Sequence, residues 1–206
     1  MRRISVTILV VLLSLVRGAS GQQTPAPSAS GTLSGASDTI ASQLNQQLSF
    51  VETEVVDAAK AMPEDKYSFV PTSGEFKGVR NFAQQVMHIA TANYLLYGAI
   101  VPDDPTAATK RQAAASAQTK DQILQYLQDS FAFAHKAIGT INAENMLRPV
   151  KRAPNPYAST ALELAVFGCS HGTDIYGQMV EYLRMNGIIP PATANRPARG
   201  SAPPVR

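Results

Sequence analysis

Two histidines far apart in the chain, His88 and His171, each fall on the apolar side of a segment with helical periodicity. Neutral imidazole is a good ligand for zinc, nickel or iron. In a helix bundle, two histidines one turn apart and a third from a facing helix can close around a divalent ion. The turn after the second histidine reads His171-Gly172-Thr173-Asp174-Ile175-Tyr176-Gly177-Gln178, so the position four residues on from His171 is Ile175. An isoleucine side chain cannot bind a metal. Asp174, three residues after His171, approaches the same cleft from a slightly rotated angle. A set of His88, His171 and Asp174 with open coordination positions would be a recognisable ligand type.

The remaining candidates read mainly as structure. His135 is expected to be a partly exposed or hydrogen-bonded histidine rather than a ligand. Tyr67, Tyr94 and Tyr176 are pocket-lining candidates, but an aromatic residue at helical spacing is more often core. Gln178 is expected to satisfy a buried hydrogen bond and Gly177 to allow close helix approach. Cys169, the one cysteine, lies between apolar and small residues and reads as a buried, inert thiol. No serine has a nucleophile-elbow context and no glycine-rich phosphate loop follows a strand. Glu163 and Glu181 stand too far apart on one helix for an acid/base pair.

The elements that must position these residues are helices. From Asp38 to Met62 the apolar residues Ile40, Leu44, Leu48, Val51, Val55, Ala59 and Met62 recur at spacings of three and four, and Pro63 ends the run. A second helix is expected from Gly78 to about Gly98 and a third from about Ser116 to Ile141. The fourth starts near Thr160, with Glu163 at capping-box spacing, and runs to Asn186-Gly187. No segment alternates with period two. The fold class is therefore all-α, a four-helix bundle. The connections on either side of the second helix are long enough to run back along a helix and allow a parallel neighbour.

The ends of the chain set expectations about compartment. Met1-Arg2-Arg3 followed by the apolar run Ile4 to Val16 and then Ala19-Ser20-Gly21 reads as a signal peptide over residues 1–21. The run is shorter than the roughly 17–25 residues that span a bilayer, so no stable membrane anchor is expected after cleavage. Export to the periplasm or beyond the cell follows. Residues 22–37 are expected to be a flexible linker and 192–206 a loose tail, because their Pro, Ser, Ala and Gly content offers little to bury. The chain carries 18 Lys+Arg against 15 Asp+Glu, but Arg2, Arg3 and Arg17 leave with the signal, which brings the mature charge near zero. A neutral surface with no basic stripe argues against nucleic acid as a partner. One cysteine forms no internal disulfide, so packing must hold the exported domain together.

Three stretches carry a family resemblance: Met62-Pro63-Glu64-Asp65-Lys66-Tyr67, Phe82-Ala83-Gln84-Gln85-Val86-Met87-His88-Ile89-Ala90-Thr91-Ala92-Asn93-Tyr94, and His171 to Gln178 running on into Tyr182-Leu183-Arg184-Met185-Asn186-Gly187-Ile188-Ile189-Pro190-Pro191. In this order they resemble the DinB superfamily, especially its exported bacterial branch, over residues 38–191. The resemblance implies an up-down-down-up bundle, often dimeric, so a homodimer is an expected assembly. It also implies a central pocket in which one histidine of the second helix and two of the fourth bind a divalent ion. His88 and His171 match the first two ligand positions, and Ile175 stands at the third. A divalent metal (Zn, Ni or Fe) is therefore expected to be weakly bound or absent. The activities implied are metal-assisted thiol transfer and related hydrolytic or isomerising chemistry, in which an open position on the ion activates water or a thiol. Two readings follow: a non-catalytic or small-ligand-binding bundle with a degenerate pocket, and a metal-dependent enzyme using His88, His171 and Asp174. The ligand or substrate is not named by the residues.

Overall fold

Each long helix begins where a side chain can satisfy the free backbone N–H groups of its first turn. In the computed structural model, which describes residues 39–151 and 158–196, four helices open on reciprocal capping boxes. These are α1 (Ile40–Ala61) with Thr39 and Ser42, α2 (Phe82–Gly98) with Asn81 and Gln84, α4 (Lys120–Gly139) with Thr119 and Gln122, and α5 (Ala161–Met185) with Thr160 and Glu163. At the far end of α5, Gly187 takes φ +73°, a left-handed conformation in which a side chain would be strained. Its N–H bonds to the Arg184 carbonyl and that of Ile188 to Leu183, a Schellman closure.

Among the described residues no strand forms, so the chain is all-α as expected. Two shorter helices complete the order: α3 (Thr106–Ala113) and α6 (Pro191–Ala194). The chain divides into two units, Met1–Ala36 and Ser37–Arg206, and the described helices belong to the second. The signal peptide expected over 1–21 and the linker over 22–37 lie outside the described residues. Among those described, no helix is long and apolar enough to cross a membrane.

The apolar stripes meet as a ring, with α1 packing against α4 and α5 and α2 packing against the same two. Leu48, Val55, Phe82, Ile89, Leu127, Phe131, Met179 and Leu183 are buried within it. Full burial of each such side chain contributes on the order of 1.5–3 kcal/mol. Two glycines of α5 set how near its neighbours lie. A Cβ at Gly172 would fall 2.7 Å from Cγ1 of Val51 on α1, and one at Gly168 would overlap the Tyr97 hydroxyl on α2. Gly177, expected to serve that purpose, has open space where its Cβ would stand. The close approach is five and nine residues earlier, at Gly172 and Gly168.

Element boundaries differ from expectation in three places. The second and third helices start at Phe82 and Lys120, because Asn81 and Thr119 are the residues that cap them. The connection between them holds α3, anchored by Asp104, whose Oδ1 accepts from the Thr106 N–H at 2.9 Å. The tail expected to be loose from 192 begins as a helical turn, with Pro191 preset for a first helical position and Thr193 Oγ1 accepting from the Arg184 guanidinium.

Candidate functional site

His88 sits midway along α2 and His171 midway along α5, on the faces these helices turn toward each other. Their Nε2 atoms lie 3.0 Å apart and the rings meet edge to face at 78°. When both are neutral, one Nε2–H donates to the other Nε2. Phe167, one turn before His171, stacks parallel on that ring. Burial lowers the pKa of both imidazoles. For His88 the nearby Arg80 charge and His171 push the same way, while for His171 the Asp174 carboxylate pulls upward and Arg80 downward.

His88, but not His171, borders a cavity of about 440 Å3 that Gly78, Arg80, Gln84 and Thr91 also line. Gly78 turns the chain at φ +82° into α2, a conformation that favours glycine. The Arg80 carbonyl accepts from the Tyr182 hydroxyl at 2.9 Å, which ties this turn to α5. This turn thus supplies part of the cavity wall through Gly78 and Arg80.

Behind the pair lies a polar relay that the sequence did not single out. Gln85 is buried on α2, one turn before His88, and its amide donates to Gln178 Oε1 at 2.9 Å. Gln178 in turn donates to Asp174 Oδ2 at 3.4 Å. Gln178 therefore meets its expected role as partner to a buried group, although it is itself exposed. Gln85 Oε1 has no hydrogen-bond partner. The available signal was a glutamine on the same face as Phe82, Ile89 and His88.

The remaining candidates separate from the pair. Asp174 is exposed, hydrogen-bonds along α5 to Gln178, and reaches His171 through its charge alone. Ile175 is 3 % exposed and belongs to the core. His135 is held on α4 between two groups of α1, Asn45 Oδ1 at 2.7 Å from Nδ1 and Glu52 Oε2 at 3.0 Å from Nε2. The Tyr67 hydroxyl donates to the Ala59 carbonyl at 2.7 Å, and its ring packs on Phe82. Tyr94 is core. Tyr176 is half-buried, and burial raises its pKa, with Glu54 and Asp57 of α1 pushing the same way and Arg196 and Arg184 opposing them. Cys169 is buried, its thiol 3.9 Å from the Tyr97 hydroxyl, and burial raises its pKa as expected of an inert thiol.

A single ion can touch two nitrogens 3.0 Å apart, since metal–imidazole bonds are about 2.0–2.1 Å. A third ligand is what this site lacks. Among the described residues no three His, Cys, Asp or Glu side chains gather in a way that could hold a metal ion. Buried Ile175 stands where the three-histidine set requires a donor, so that set does not fit this chain. What the arrangement offers instead is a proton shared between two imidazoles, beside a cationic guanidinium and a cavity of small-molecule size.

No curated protein matches the chain. The family model of the DinB superfamily matches residues 47–179, a span that runs from α1 through His88 to Met179 beyond His171. With the match covering most of the chain and the two histidines meeting inside it, this protein belongs to the DinB superfamily.

Proposed function

We propose that this is an exported DinB-like four-helix bundle of up-down-down-up course, whose family metal pocket has become a non-catalytic pocket for a small ligand. One observation carries the reading. The His88 and His171 rings meet directly at 3.0 Å while Ile175, the residue at the third ligand position, is buried in the core. An apolar group there dries the site and removes a donor, which weakens any ion held by the remaining two.

Contacts between helices support the topology. Gln85 pairs with Gln178, His88 with His171 and Tyr97 with Cys169, so α2 and α5 run oppositely. Lys120 at the start of α4 reaches carbonyls at the end of α1, while His135, further on, meets Asn45 and Glu52, so α1 and α4 also run oppositely. The start of α2 meets the turn that leaves α1, through bonds from the Phe82 and Ala83 N–H groups to the Phe69 and Tyr67 carbonyls. Export rests on the basic and apolar start of the chain, residues 1–21.

The test is elemental analysis of protein purified without an affinity tag, together with melting before and after chelation. The reading expects no stoichiometric zinc, nickel or iron and an unchanged melting temperature. It also expects Ile175→His to make melting respond to added zinc, because ligand binding to the folded state raises stability. A second reading, a metal-dependent enzyme of thiol-transfer or hydrolytic type using His88, His171 and Asp174, draws support from the convergence of the two Nε2 atoms. Stoichiometric metal that is lost in both His88→Ala and His171→Ala would establish it and overturn the first.

A further inference from the structure

A second cavity, of about 520 Å3, opens between α2, α3 and the chain near Lys151. It shares no lining residue with the histidine pocket. Its size falls in the range of small-molecule sites, ~300–1,000 Å3. The helices that form it are pressed together at one point, where a Cβ on Gly98 would stand 2.7 Å from that of Ala107. Leu95, Ala107 and Ala108 give it apolar wall.

The charges around the wall are not all paired. Asp104 already accepts the Thr106 N–H just ahead of α3. Lys110, on the same helix, is neutralised by Asp129 at 2.7 Å. Lys151 stands 3.9 Å from Asp103, but both side chains are highly exposed and water screens the pair. Arg111 lines the cavity and has no ion-pair or hydrogen-bond partner among the described residues. Asp103 and Asp104 offset the two cations in number, but neither carboxylate pairs with Arg111, so its guanidinium is the charge an anion would meet.

A polar group is also left without a partner. Tyr94 lines this cavity, its side chain is 1 % exposed, and its hydroxyl makes no hydrogen bond. Buried hydroxyls are almost always paired, so this one, on a residue that lines the cavity, is a donor still free for an acceptor, as is the hydroxyl of the neighbouring Tyr126. Burial, with Asp129 and Tyr126 adding to it, holds the phenol far above its ordinary pKa. The group is therefore a donor at any physiological pH.

We propose that this cavity binds a small organic monoanion, with a carboxylate on Arg111 and Lys151, an uncharged body against the apolar wall, and an acceptor atom on the Tyr94 hydroxyl. The guanidinium suits a carboxylate in particular because its planar fork matches the two oxygens.

Calorimetric titration and amide-shift mapping on the full chain at low salt test this with straight-chain monocarboxylates from acetate to octanoate and with 4-acetylbenzoate, whose ketone supplies the distal acceptor. Saturable one-to-one binding is expected for at least one of them, with shifts concentrated on residues 94–111. The neutral analogue 4-acetylbenzamide should bind at least tenfold more weakly than 4-acetylbenzoate. Arg111→Gln should weaken the carboxylate at least tenfold. Tyr94→Phe should weaken 4-acetylbenzoate severalfold while leaving octanoate, which has no distal acceptor, unchanged. Because the hydroxyl makes no bond in the fold, that variant should melt no lower than the parent. Absence of saturable binding across the set, equal binding of the amide, indifference to Arg111→Gln, or shifts confined to residues 78–91 would overturn the proposal.

Discussion

Two imidazoles that share one proton resist taking up a second, and this pair is further discouraged by burial and by Arg80. The stability consequence has a definite sign. With folded-state pKa values below the ordinary imidazole value of about 6.5, the unfolded chain binds more protons than the folded one as pH falls through that value. Stability from the neutral pair is fully present above it and declines below it, toward the lowered folded values. Urea midpoints measured between pH 7.5 and 5.5 should therefore fall, over a window that most carboxylates do not share. His171→Gln should flatten the slope by removing one member, and an equal slope in the variant would show that the pair does not control it. The pair itself was legible in the sequence, since both histidines lie on apolar stripes, and so was the loss at Ile175. Gln85 was not. A glutamine at helical spacing looks like surface until its partner Gln178, on another helix 93 positions along the chain, is known.

At the scale of the element, the long stripes of apolar residues announced the four principal helices, whereas their starting points depended on polar chemistry. Thr160 with Glu163 was readable as a capping box. The same device at Asn81 and Gln84, and at Thr119 and Gln122, passed unseen because glutamine is a weaker signal than glutamate. The helix α3 was hidden for another reason: Ala107 is its one buried residue, so it has no stripe to read. Glycines in α5 give the sharpest element-level expectation, because three of them meet different surroundings. Gly172→Ala pushes a methyl into Val51, and Gly168→Ala pushes one into the Tyr97 hydroxyl. Each should destabilise by about 1–3 kcal/mol as overpacking at a helix contact. Gly177→Ala meets open space and should stabilise by roughly 0.5–1 kcal/mol through helix propensity. Chemical denaturation of the three variants checks this order, and a loss at Gly177 as large as at Gly172 would contradict it.

Across the whole molecule, the order in which helices pack depends on contacts with no local signature. Helix spacing left parallel and antiparallel neighbours equally open, and what distinguishes them is side chains meeting from distant parts of the chain. Lys120 is the clearest of these. Its ammonium donates to the carbonyls of Lys60 at 2.8 Å and Met62 at 2.7 Å and lies 5.7 Å from the centre of the Tyr67 ring. It thus places a positive charge at the negative C-terminal end of α1 and fastens the start of α4 there. Nothing in the run from Gln118 to Gln122 reveals this, since a lysine in a first helical turn reads as a mildly unfavourable surface charge. Lys120→Met keeps most of the aliphatic stem and removes both hydrogen bonds, leaving the exposed Lys60 carbonyl to water and the carbonyl of buried Met62 without its partner. The loss should be about 1–3 kcal/mol. For a domain of this size each kcal/mol is a fall in melting temperature of about 2–4 °C. Lys66→Met serves as the comparison: its ammonium is exposed and 3.9 Å from Asp65, so its removal should leave melting unchanged. If both variants melt alike, the link between α1 and α4 does not depend on Lys120, and their opposed course must come from apolar packing alone.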